Sequence, residues 1–223
     1  MTPGKDRDAT ARGRVYPLTP RRLRTAARHL AARDPDLAAI LARRGPPPLW
    51  DRPAGFASLV RIILEQQVSL ASARALEARL VSVLGAHAPG SYLSRGEPGL
   101  RRLGLTRQKA RYCIGLARAV RDGTIDLDGL AALDDEAAAL ALTRLHGIGP
   151  WTAQIYLLMV LLRPDIWPRG DLALVAALRE VKRLRRVPTA ERVAAIAERW
   201  RPYRSVAARM LWQEYLARRA RSD

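Results

Sequence analysis

The sequence predicts an all-α protein, and three observations carry that prediction. Alanine, leucine and arginine recur at helical spacing along almost the whole chain, and all three are strong helix formers. Alternating runs of β-branched and aromatic residues, which would mark strands, are scarce. Ser, Thr or Asp repeatedly precedes an apolar-periodic segment that Gly or Pro then closes, the punctuation of helices. No repeat of fixed period runs through the chain, so a solenoid is not expected.

The elements follow in order. Residues 1–14 are polar and charged with no apolar stretch, and are expected to form a flexible basic arm rather than a secretory signal. Thr19-Pro20 reads as an N-cap and first-turn proline, opening a helix to about Arg33. A short helix over 37–43 stops at Gly45-Pro46-Pro47-Pro48, which reads as a stiff linker. Residues 56–66 place Phe56, Leu59, Val60 and Ile63 on one helical face. Ser69 is suited to cap the next helix, which Gly85 ends after Leu84. Gln67 and Val68 therefore fall in a turn between two helices.

Residues 86–99 carry several glycines and prolines and read as a looser segment. Thr106 can cap a helix over 107–121, closed by Asp122-Gly123. Asp134-Asp135 can start the helix that leads into a glycine-bearing turn. The next segment, 151–162, is almost wholly apolar, which predicts burial on all sides. Residues 163–170 form a loop with two prolines, and Asp171 opens a helix to about Arg183. Pro188-Thr189 opens another to Trp200, Pro202 breaks it, and 205–218 form a last amphipathic helix.

With 223 residues, 48% of them hydrophobic, the chain can bury a sizeable core in one or two domains. Its 39 Lys+Arg outnumber 21 Asp+Glu, a formal charge of +18. That excess favours a polyanionic partner, nucleic acid first, with an anionic membrane surface as the competitor. Cys113 is the only cysteine, which excludes an internal disulfide and a four-cysteine iron–sulfur site. No apolar run reaches membrane-spanning length. A soluble, cytoplasmic protein associated with the nucleoid through DNA is the expectation.

The turn Leu145-His146-Gly147-Ile148-Gly149-Pro150 is the focus of the chain. Its two glycines allow a tight backbone and leave amides uncovered by side chains. Pro150 stands where a helix begins, and bare amides at a helix N-terminus bind phosphate. Gly-X-Gly alone fits an ordinary connection between core helices. The longer string, from Leu145 through Trp151-Thr152-Ala153, is more specific, and Trp167-Pro168-Arg169-Gly170-Asp171 follows it.

Together these resemble the helix-hairpin-helix DNA glycosylases, the HhH-GPD superfamily, and within it the 3-methyladenine DNA glycosylase II type. Three further strings match in order: Ile62-Ile63-Leu64-Glu65-Gln66-Gln67-Val68-Ser69, Gly104-Leu105-Thr106-Arg107-Gln108-Lys109-Ala110, and Trp200-Arg201-Pro202-Tyr203-Arg204-Ser205 with Trp212 beyond. The resemblance spans about 53–215. It implies two helical subdomains with an active-site cleft between them. One is a central bundle of residues 56–163, carrying the helix-hairpin-helix over about 134–162. The other is discontinuous, residues 15–55 with 164–223, and carries Asp171.

The resemblance also implies roles. Asp171 would be the catalytic carboxylate, although by local pattern alone it is a helix N-cap. The two roles are compatible, since a cap bond would hold the carboxylate in place. Trp151 stands where glycosylases with lyase activity carry a nucleophilic lysine, so no Schiff base can form there. Trp151, Trp212, Tyr156 and Gln66 are candidates for the base pocket, though Tyr156 fits a core position equally well. Gln67 stands where a well-known bacterial relative fills the gap in the DNA stack with leucine, so Gln67, or Val68 beside it, is the candidate wedge. Leu145, His146, Gly147, Ile148, Gly149, Trp151 and Thr152 form the candidate phosphate-binding hairpin. Carbonyls of Thr143, Leu145 and Ile148 would hold a Na⁺ or K⁺ there, and no cofactor is needed for the chemistry. The implied activity is that of a monomeric, monofunctional glycosylase on alkylated purines in double-stranded DNA. A non-catalytic helix-hairpin-helix DNA-binding protein is the alternative. The iron–sulfur endonuclease branch is disfavoured by the lone Cys113 and by Trp151 at the lysine position. Arginine runs at 21–24, 183–186 and 218–221 read as solvated faces or phosphate contacts.

Overall fold

A computed structural model describes residues 16–220, so the expected arm over 1–14 lies outside the described residues. Within them the chain forms eleven α-helices, one 3₁₀ turn and no strand. The first is α1 (Pro20–Arg33), where Thr19 Oγ1 accepts the Arg22 N–H at 3.2 Å. Asp34 then caps α2 (Pro35–Arg44) through the Asp36 and Leu37 amides. An Asp-Pro cap signal therefore starts this helix two residues before the apolar pattern does.

The helices α3 (Phe56–Glu65) and α4 (Leu70–Leu84) flank the turn at Gln66, Gln67 and Val68, with Ser69 capping α4. The segment read as loose is in fact α5 (Pro89–Arg102), broken at Gly96, whose φ is +60°. Local propensity opposes a helix there, but Tyr92 and Leu100 are fully buried and the helix packs along α6 (Arg107–Arg121). Tertiary burial overrides composition. A 3₁₀ turn (Gly129–Ala132) leads to α7 (Asp135–Thr143) and α8 (Pro150–Met159). The latter ends three residues short of the predicted 162, where Leu162 adopts φ +54°. The last helices are α9 (Leu172–Val181), α10 (Ala190–Glu198) and α11 (Arg204–Arg219).

Helix contacts follow two sets. The first surrounds α3, which packs on α4, α6 and α8, with α5 on α6 and α7 on α8. The second surrounds α11, which packs on α1, α2, α9 and α10. Buried Arg209 of α11 ties the two sets together. Its guanidinium donates to Leu158 O at 2.7 Å, Leu49 O at 2.8 Å and Ser205 O at 3.2 Å. Burial pushes its pKa down to about 10, so it stays charged at neutral pH. Arg209→Met would take this donor from the Leu49 and Leu158 carbonyls. A loss of about 2–4 kcal/mol is expected in urea unfolding; a change under about 0.5 kcal/mol would show that the carbonyls find other donors.

Candidate active site and nucleic-acid interface

Asp171 sits at the N-cap of α9, and its Oδ1 accepts the Leu174 N–H at 2.8 Å. Two indoles reach it from other helices. Trp151, in the first turn of α8, donates Nε1 to Oδ2 at 3.0 Å, and Trp212 of α11 donates Nε1 to Oδ1 at 3.3 Å. The residue as a whole is buried, at 9% exposure. Three donors fix its position.

The loop before Asp171 is held by the segment that opens α11. Arg204 pairs with both Asp165 oxygens, at 2.9 and 3.0 Å. The Ser205 hydroxyl accepts the Ile166 N–H at 2.8 Å. Arg169 N–H donates to Gln154 Oε1 at 2.8 Å, fastening the loop to α8. The string Trp200 to Ser205 thus acts as the brace of the aspartate loop, a role that its sequence does not display.

Of the candidate pocket residues, the structure brings Trp151 and Trp212 to Asp171. Tyr156 does not join them. It is fully buried and its hydroxyl accepts the Gly55 N–H at 3.1 Å, so its ring is core and presents no face to a base. Gln66 is half-buried, and its amide nitrogen donates to Gly147 O at 3.1 Å and Thr152 Oγ1 at 2.9 Å. It acts here as a strut between the end of α3 and the hairpin.

One further aromatic, Trp50, lies just past the proline-rich linker 45–48 and carries no signal in the sequence. The Trp50 ring meets Trp212 edge-on, with centroids 6.4 Å apart and planes at 63°. Its φ is +48°, a left-handed conformation costing on the order of 1–3 kcal/mol in a bulky residue.

The hairpin glycines differ in kind. Gly147 has φ +88°, and a Cβ there would lie 2.1 Å from the Tyr112 ring, so it is bound to glycine twice over. Gly149 is extended, at φ −83° and ψ 176°, and a Cβ there would meet nothing within 4 Å. Only Gly147 serves the turn; the bare side of Gly149 faces open space. Gly149 cannot cap α8 with a side chain, so first-turn amides at Trp151 and Thr152 are not claimed that way. His146 is exposed and meets Tyr112 edge-on at 5.1 Å, Ile148 is buried, and Leu145 packs on the core. The Leu145 carbonyl accepts the Ile148 N–H at 3.0 Å, leaving its second lone pair for another partner.

The hairpin and the turn after α3 line one groove of about 720 Å³, which includes Gln67, Val68, Lys109 and residues 143–149. Gln67 is exposed, with φ +56°, and Val68 is 46% exposed, so both project from the turn. Lys109 is buried and donates to Leu64 O at 2.7 Å, tying off the last turn of α3 just before them. Burial lowers its pKa. The Gly-Leu-Thr-x-x-Lys string therefore supports the turn rather than reaching solvent. Arg21, Arg22, Arg24, Arg183, Arg185 and Arg186 are exposed, whereas Arg218 is engaged with Glu214 and Glu180. Arg221 lies outside the described residues. Among the described residues no cluster of three His, Cys, Asp or Glu could hold a metal ion, Cys113 is buried, and no helix is long and apolar enough to cross a membrane.

Comparison with known proteins points to one family. The model of the HhH-GPD superfamily of base excision DNA repair proteins matches residues 60–202. A DNA-3-methyladenine glycosylase of Bacillus subtilis is 28% identical over 71% of this chain and 56% of its own length. DNA-3-methyladenine glycosylase 1 of Schizosaccharomyces pombe is 27% identical over 83% of this chain and 84% of its own. The fission-yeast enzyme's structure with abasic DNA superposes with a TM-score of 0.79 at 26% identity, covering 85% of this chain and 95% of that one. The chain spans only 37% to 64% of the length of bacterial relatives. A family match over more than half of its residues nonetheless settles its kinship: the chain belongs to the HhH-GPD superfamily of base excision DNA repair proteins.

Proposed function

We propose that this protein is a monofunctional DNA glycosylase that removes alkylated purines from double-stranded DNA. The observation that carries this reading is Asp171, a nearly buried carboxylate clamped by two indole N–H groups at a helix N-terminus. A module that only binds DNA has no use for such a device. In the proposed reaction the C1′–N bond breaks, and its electron pair leaves with the purine. A base already cationic from methylation departs without help from a strong acid. Asp171 stabilises the oxocarbenium-like sugar. Water then adds to C1′, with the carboxylate placed to take its proton.

Trp151 cannot act as an amine nucleophile, and its indole N–H is engaged with Asp171. The product should therefore be an abasic site in an unbroken strand. Borohydride present during the reaction should trap no covalent complex; a trapped complex would contradict a monofunctional mechanism.

The groove at the hairpin is proposed to seat a DNA phosphate on the first-turn amides of α8. Na⁺ or K⁺ on the Thr143, Leu145 and Ile148 carbonyls would add positive charge there. The exposed arginines would supply sequence-independent contacts whose strength falls with salt. A monomer acting in the cytoplasm completes the proposal.

Two substitutions probe the base and the gap it leaves. An aromatic face attracts a cationic base by about 0.5–2 kcal/mol. Trp212→Ala should thus slow excision of N3-methyladenine more than that of neutral hypoxanthine; equal losses would assign Trp212 a packing or Asp171-holding role instead. Gln67, at the tip of its turn, is proposed to enter the duplex and hydrogen-bond the orphaned opposite base. Gln67→Ala should slow excision from duplex DNA about tenfold and barely alter it on a single strand, on the scale of a few lost contacts. Parental rates on duplex would move the wedge to Val68.

A further inference from the structure

The proline-rich segment before α3 is anchored on both sides of Trp50. Upstream, the Leu49 carbonyl accepts from buried Arg209 at 2.8 Å. Downstream, the Arg52 N–H donates to Met159 O at 3.0 Å, and the Arg52 guanidinium pairs with both Glu65 oxygens, at 2.9 and 3.1 Å. Between these anchors Trp50 is held at φ +48°. Glycine or asparagine would take that backbone with little strain, yet the position holds the largest side chain. Strain of this kind persists only where the surroundings over-determine it, and it gathers at ligand sites. The strained residue presents its ring to Trp212, which in turn donates to Asp171. The Trp50 side is not engulfed, because the residue is only half-buried.

We propose that Trp50 is a wall of the pocket that takes the flipped base, and that it sets the preference for cationic purines. Its indole face would lie against the base that Trp212 meets from another side. This inference rests on the glycosylase reading above. It assigns the segment 45–55, otherwise a connector between α2 and α3, to substrate selection.

The test uses the whole chain with two substitutions. Trp50→Gly keeps the left-handed backbone and removes the ring. Trp50→Leu fills part of the same space with apolar atoms but has no π face. Single-turnover excision of N3-methyladenine should fall about tenfold in both. Affinity for DNA that already carries an abasic site, where no base occupies the pocket, should stay within about twofold of the parent on the same scale. Trp50→Phe, which restores an aromatic face, should recover most of the rate. Parental excision by Trp50→Leu would overturn the proposal, as would matched losses of excision and abasic-site affinity, which would make the ring a structural prop. If Trp50→Gly does not fold, Trp50→Leu and Trp50→Phe decide alone. A parent that releases no base at all would instead refute the glycosylase reading, so the two failures are distinct.

Discussion

Asp171→Asn is expected to cut base excision by about a thousandfold, the scale of losing a group aimed at transition-state charge. Asparagine is as good an N-cap as aspartate, so the bond from Leu174 N–H to the side-chain oxygen can persist. The amide has only one acceptor oxygen, however, while three donors converge on the present carboxylate. With its oxygen kept on the Oδ1 side, the asparagine NH₂ would face the Trp151 Nε1–H. The fold should lose only about 1 kcal/mol from that broken bond, and DNA affinity should hold. Single-turnover excision and equilibrium binding of the same variant separate the two effects. Excision near the parental rate would remove Asp171 from the mechanism.

The hairpin glycines should respond in opposite ways. Gly147→Ala adds a Cβ at 2.1 Å from the Tyr112 ring and forces alanine to φ +88°. It should lower stability by about 2–4 kcal/mol and displace the hairpin. Gly149→Ala meets no protein atom within 4 Å and stands at an ordinary φ. Stability should change by under about 0.5 kcal/mol. The new methyl would instead stand at the face offered to the phosphate, weakening binding to every DNA sequence alike. Thermal unfolding and binding to several duplexes check the pair. A loss confined to particular lesions at Gly149→Ala would place that face in the base pocket.

Helix starts were legible where a single side chain caps its own helix. Thr19, Ser69, Thr106, Asp134, Asp171 and Thr189 all cap the helices that follow them. The helix α5 was not, because Gly90, Gly96, Pro98 and Gly99 dominate its local signal, and burial of Tyr92 and Leu100 lies in tertiary contacts. At the site, the resemblance singled out Asp171, Trp151 and Trp212. It did not reveal that both indoles donate to the carboxylate, from 20 and 41 residues away. Tyr156 was ambiguous because a buried tyrosine and a pocket tyrosine look alike on an apolar helix. Trp50 gave no signal at all: nothing in its residue type suggests a positive φ, and its proline neighbours suggest a spacer. The sequence does not distinguish Gly149 from Gly147, and only the dihedrals show that Gly147 alone carries the turn.

What leaves methylated DNA tests the proposed activity most directly. Duplex DNA treated with a methylating agent would be incubated with the full chain, and the released material separated by chromatography. The prediction is free N3-methyladenine and N7-methylguanine, with abasic sites left in strands that break only on later heating in alkali. Release of no methylated base, with the chain still binding the DNA, would contradict the account and leave a DNA-binding protein without this chemistry.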